Sequence, residues 1–176
     1  MEKMIMSAEN PKEVFVLLLS NARNNTERSI KAYETIGQKA ENPDVKDALK
    51  ARKFIAEQNL KTLDECFEVI GEKPVQLSGK LHEVFVEDFK RELEEIQSPE
   101  ARHLFILAKA THLAHLRFAE YAALVAAADA SENYGVGVLL ESVLADKLAF
   151  LERDRRLVRH LIAARVKDRL AERLAA

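Results

Sequence analysis

Residues 111–124, THLAHLRFAEYAAL, set His112 and His115 three positions apart, with Glu120 close behind, inside a mostly apolar run. Imidazoles and carboxylates are ligands for iron and manganese, and an i,i+3 pair on a helix shares one face. A metal-bearing helix is therefore the first chemistry to test. At 100° per residue, Leu107, Ala110, Ala114, Phe118, Tyr121 and Val125 form a narrow stripe centred on Ala114. His115 then falls among Ala108, Ala119, Ala122 and Ala126, and His112 beside Lys109. Both histidines flank a packing surface instead of pointing down the axis. Arg117 stands some 60° off the stripe centre, so a change there is expected to cost less than a glutamate at Ala114.

Other reactive side chains offer less. Glu57 lies beside Phe54 and Ile55 and can look inward, yet no histidine follows at i+3. Glu27 sits among Ser20, Arg23, Lys31 and Glu34, a solvated face, whereas Leu18, Ala22, Thr26 (or Asn25), Ser29 and Tyr33 line the inward face of the same segment. Cys66, in DECFEV, has acids nearby that raise a thiol pKa, and it reads as a small buried apolar residue. YGVG lacks the lysine and the preceding strand of a phosphate loop, and the acidic VEDFKRELEEI is a solvated helix face.

The elements that carry these residues are clearly punctuated. NPKE at Asn10, NPDV at Asn42 and SPEA at Ser98 each pair a capping side chain with proline at the first helical position and an acid in the first turn. Helices are expected over 11–41, 43–70 with Gly71 as the stop, 81–97, 99–130, and from about 136 to the end. Two tight breaks make two antiparallel hairpins, and 71–98 is long enough to cross between them. The predicted fold is all-α, a ferritin-like four-helix bundle with a short extra helix in the crossover.

Composition agrees. The 176 residues are 48% hydrophobic and 32% charged, with 5 Gly, 4 Pro and no Trp, and fit one domain over 1–176. A net charge of −2 argues against a nucleic-acid partner. A lone cysteine suits a reducing compartment, no run reaches membrane-spanning length, and the first ten residues show no signal-peptide pattern, so the cytoplasm is the expected location.

VFVLLLS opening the first helix, IGEKP closing the second and FAEYAAL in the fourth, together with helix order and length, resemble the YciE/YciF-type bacterial ferritin-like stress proteins over residues 11–158. The resemblance implies a dimer with a carboxylate-rich dimetal centre. Laid gaplessly on that pattern, the implied first-helix ligand falls on Thr26 and the second-helix pair on Phe54 and Glu57. The fourth-helix pair falls on Ala114 and Arg117, and the final acidic run on Leu144, Ala145 and Asp146. The expectation is no cofactor and no catalysis. The alternative is iron or manganese in an off-pattern site of Glu57, His115, Glu120 and Asp146.

From Glu152 to Ala176 eight Lys/Arg outnumber four Asp/Glu. Val158, Ile162, Val166, Leu170 and Leu174 form an apolar stripe with Arg155, Arg159, Arg165 and Arg169 nearby. This pattern predicts a protruding arm, 152–176, used for a homodimer or a protein partner. The function expected is thus a non-enzymatic, stress-associated bundle acting through self-association or partner binding.

Overall fold

The computed structural model describes residues 8–75, 77 and 80–175. Five helices follow one another: α1 (Pro11–Lys39), α2 (Pro43–Ile70), α3 (Leu81–Glu94), α4 (Pro99–Ala130) and α5 (Tyr134–Ala175). The three Asn/Ser-Pro starts cap as expected. Asn10 accepts from the Glu13 amide, Asn42 from Asp44 and Val45, and Ser98 from Ala101. Gly71 ends α2 at φ 69°, the left-handed region where glycine carries no Cβ penalty.

Three ends differ from the sequence expectation. α1 stops at Lys39 because Ala40, buried in the core, turns to extended backbone ahead of the Asn42 cap. α3 stops at Glu94, and the Arg102 guanidinium donates to the Leu93 carbonyl in its last turn (2.8 Å) and to the Ile96 carbonyl beyond it (3.0 Å). α5 begins two residues early, at Tyr134, since the Asn133 carbonyl already accepts from the Gly137 amide at 2.9 Å.

α1 and α2 form one hairpin and α4 and α5 the other, with α1 against α4 and α2 against α5. α3 packs on α1 and α4 within the crossover. This is the all-α four-helix bundle of ferritin-like connectivity. The inward residues step alternately by four and three. On α1 they are Phe15, Leu19, Ala22, Thr26, Ser29, Tyr33 and Ile36; on α2, Val45, Leu49, Arg52, Ala56, Asn59, Leu63 and Cys66. Such 3.5-residue periodicity is knobs-into-holes packing, and it keeps one seam facing the axis.

The seam buries two separate apolar clusters. One gathers Phe15, Leu19, Leu63, Phe67, Tyr121, Leu124 and Leu140. The other gathers Ile36, Leu49, Phe89, Leu93, Ile106, Leu107 and Leu113. Burial corrects the expected centre of α4. Leu113, Arg117 and Leu124 are buried, whereas Ala114, Phe118 and Val125 are only partly so. The expected stripe used 100° per residue, and supercoiling shifts the seam toward Leu113 and Arg117.

α5, with 42 residues, rises roughly 63 Å at 1.5 Å per residue, against about 48 Å for the 32 residues of α4. Leu157, Val158 and Leu161 still pack against the second cluster. Beyond them Ile162, Val166 and Leu174 are 49%, 62% and 82% exposed. Val158 therefore belongs to the bundle and not to the arm's open stripe, which corrects its place in that set. The side chains of Arg165, Arg169 and Leu170 lie outside the described residues. No helix among the described residues is long and apolar enough to cross a membrane.

Candidate functional site

Between the two clusters runs a belt of polar side chains, at the level where bundle proteins hold metals. Its members occupy seam positions: Thr26 and Ser29 on α1, Arg52 and Asn59 on α2, Arg117 on α4, Lys147 and Asp154 on α5. All but Lys147 are at most 5% exposed. A buried charge is tolerated when it is paired and hydrogen-bonded, and the belt meets that condition for both arginines.

Arg117 reaches from α4 to α1. Its Nη2 donates to the Ala22 carbonyl at 2.9 Å and to Thr26 Oγ1 at 2.5 Å. Its Nη1 pairs with Glu120, which also accepts from Asn25 Nδ2 at 2.8 Å. The Tyr121 hydroxyl lies 2.9 Å from Thr26 Oγ1, and the Arg117 guanidinium carbon is 5.2 Å from the Tyr121 ring centre. Arg52 performs the matching task on the other side. It donates from Nη1 to the Ala110 carbonyl of α4, pairs through Nη2 with Asp154 of α5, and lies 5.6 Å from the Tyr33 ring centre. Two guanidinium groups thus tie four helices together.

Burial pulls both guanidinium pKa values below their ordinary value, opposed by the tyrosines, yet arginine stays protonated in proteins. Lys147 has its ammonium 4.3 Å from the Tyr121 ring centre. Burial first, and then the positive charge of Arg117, lower its pKa to about 7, with Asp146 opposing. His82 comes from α3, and its Nε2 is 2.9 Å from Ser29 Oγ. Because that hydroxyl already donates to the Asn25 carbonyl, the imidazole is the Nε2–H tautomer, which leaves buried Nδ1 without a partner. Burial, then Arg117 and Arg28, hold its pKa down at about 4, so the ring is neutral near pH 7. Cys66 is buried, and burial, followed by Glu65, pushes its thiol up to about 12, which makes it a poor nucleophile.

A cavity of about 40 Å³ lies within the belt, bordered by Thr26, Ser29, Asn59, Ala114, Lys147 and the two arginines, among others. Its charged lining is three cations and no carboxylate, a donor set that repels a divalent ion instead of coordinating it. The larger concavity, about 800 Å³, lies between α1 and α3. Glu27, Glu83 and Glu87 there offset Arg28, Lys31 and Lys90, so it selects no charge.

The residues singled out from the sequence do not gather. His112 and His115 are exposed, and His112 meets Phe85 edge-on. Asp146 is exposed on α5, Glu57 is half-buried on α2, and Glu120 is taken up by Arg117 and Asn25. Among the described residues no three of His, Cys, Asp and Glu form a cluster able to hold a metal. Of the positions the resemblance marked, Thr26 sits at the bundle centre, as expected. Phe54 does not, being 58% exposed while Arg52 and Ala56 occupy the seam. Arg117, expected off the centre, is 2% exposed within it. Sequence reading missed Arg52, Asn59, His82, Lys147 and Asp154. A strict four-three step along α2 (49, 52, 56, 59, 63) and α5 (140, 143, 147, 150, 154, 157) picks out all of them except His82.

Two antiparallel hairpins, a crossover along the full bundle and a polar belt at mid-height define a ferritin-like helical bundle protein. The family described as Domain of unknown function (DUF892) matches residues 10–167, and the chain belongs to that family. The resemblance to YciE/YciF-type proteins is thereby borne out. No curated protein matches the sequence. Among solved structures, the Escherichia coli stress protein YciF superposes with a TM-score of 0.83 at 18% identity, over 89% of this chain and 99% of its own. YcfI from Rhodopseudomonas palustris superposes at 0.81 with 18% identity, over 87% and 98%. A Xanthomonas campestris protein gives 0.68 at 19% identity, over 93% and 99%.

Proposed function

We propose that this chain is a non-catalytic, stress-associated helical bundle that acts by self-association through the end of α5 and holds no resident metal. The observation that carries the reading is the uncovered stripe of Ile162, Val166 and Leu174, projecting past the helices that cover Leu157 and Leu161. Apolar side chains left open in this way mark a contact surface. A second copy is the partner of choice because two-fold homodimers are the commonest soluble assembly. It also offers complementary charge: Arg159 is exposed on α5 beside Arg155 and Arg156, which share Glu152, and Glu83, Glu87 and Glu94 are exposed on α3. YciF is described as a stress protein and YcfI as a candidate structural protein, which accords with a role that needs no chemistry.

Truncation after Ile162 retains the contacts of Leu157, Val158 and Leu161 with the bundle. It is expected to convert a dimer to monomer in sedimentation at micromolar concentration, with helical signal per residue unchanged. A truncated chain that stays dimeric would remove the arm from the interface.

The metal part of the reading rests on the guanidinium cross-ties, which already link the helices that a dimetal centre would link. Elemental analysis of protein purified without added metal is expected to find well below one iron or manganese per chain. Two per chain, lost on Glu57→Ala, would establish the off-pattern site of Glu57, His115, Glu120 and Asp146 instead.

A further inference from the structure

The cavity inside the belt has a charge imbalance that the cross-ties leave unresolved. Arg52 is matched by Asp154 and Arg117 by Glu120, and neither carboxylate borders the cavity. Lys147 does border it and has no ion pair among the described residues. Asn59, 2% exposed, also borders it, and its Nδ2 is a buried donor with no acceptor. The Thr26 and Ser29 hydroxyls donate to the Ala22 and Asn25 carbonyls, so neither has a proton left to offer a ligand in the cavity. The remaining wall includes Ile55, Ala56, Ala114 and Phe150, which keep the local dielectric low. The result is a small, partly open space whose lining holds an unsatisfied amide donor, a lysine without an ion pair and no negative group of its own.

We propose that this cavity is a binding site for one small inorganic monoanion of halide size, held by Asn59 Nδ2 and the Lys147 ammonium in the field of Arg52 and Arg117. Size and charge set the class. About 40 Å³ admits a water-sized ligand and excludes a phosphate ester or nucleotide. A single negative charge completes the balance of three cations against two carboxylates, whereas a doubly charged anion would overshoot it. Water would satisfy Asn59 but leave Lys147 free to shed its proton near pH 7, whereas an anion beside it holds the ammonium charged. The site inverts the electrostatics of a dimetal centre, with cations supplied by the protein and an anion taken from solution.

Bromide is the probe. Thermal melts of the full chain in sodium bromide and in sodium gluconate at equal ionic strength separate specific binding from screening. Bromide at a hundred times its dissociation constant is expected to raise the melting temperature by roughly 5 to 10 °C over gluconate, saturably. Crystals grown in bromide are expected to show an anomalous peak bordered by Asn59 and Lys147. Lys147→Met should abolish the bromide increment. Asn59→Asp, which is isosteric and places a carboxylate beside Lys147, should abolish it too and remains informative if the first variant does not fold. Identical melts in the two salts, or only water in the cavity of a bromide-grown crystal, would overturn the proposal.

Discussion

Arg117→Ala is expected to lower the unfolding free energy by about 3 to 5 kcal/mol. Arg117 is 2% exposed and makes two hydrogen bonds to α1 and an ion pair with Glu120. Truncation removes all three and enlarges a cavity that already exists beside it. Because a domain of this size has a stability of only about 5 to 15 kcal/mol, the loss is a large share of the total. Arg117→Met keeps most of the volume without the charge, and Glu120 stays partly solvated and bonded to Asn25, so its cost is expected to be about 1 kcal/mol. Ala114→Glu is expected to be close to neutral, within about 1 kcal/mol, since the new carboxylate enters a space lined by three cations. Chemical denaturation of the three variants checks the ordering. If Ala114→Glu proves the costliest, the seam runs through Ala114 and the belt is misplaced.

That ordering reverses the one that helical periodicity predicts, and the reason says what the sequence holds. The caps at Asn10, Asn42 and Ser98, and the stop at Gly71, are local hydrogen-bond problems with local solutions, so the elements are legible almost to the residue. The two tight breaks then leave little freedom in topology. The belt is different. Arginine, lysine and aspartate on a helix read as solvated, and only their place in a four-three seam among Leu49, Leu63, Leu140 and Val143 marks them as interior. Thr26 was legible because it is small and sits between Ala22 and Ser29 on the α1 seam. Arg52 and Asp154 were not, because each is tolerable inside only with the other, a pairing between residues 102 positions apart that no local pattern encodes. His82 lies on a short helix whose docking depends on the whole crossover, and its contact with Ser29 has no sequence signal at all.

Asp154→Ala is expected to cost about 3 to 5 kcal/mol, as much as the loss of Arg117, for a sharper electrostatic reason. Asp154 is 2% exposed, and its ion pair is with Arg52, whose side chain is 4% exposed. Removing the carboxylate strands a guanidinium in the core with the Ala110 carbonyl and the Tyr33 ring as its remaining partners. Such a group cannot escape by losing its proton. The double variant Arg52→Met with Asp154→Leu removes both charges at similar volume and is expected to recover most of the loss, leaving within about 1 kcal/mol of the parent. A double-mutant cycle with no coupling would show that the pair forms no real bond in solution. The consequence for function lies one turn further on. Asp154 fastens α5 to α2 just before Leu157, Val158 and Leu161 make the last contacts with the bundle. With the pair broken, the base from which the arm projects loses its anchor. Amide exchange in Asp154→Ala is therefore expected to quicken from Leu157 onward more than in α1, and dimerisation to weaken although no residue of the open stripe has changed.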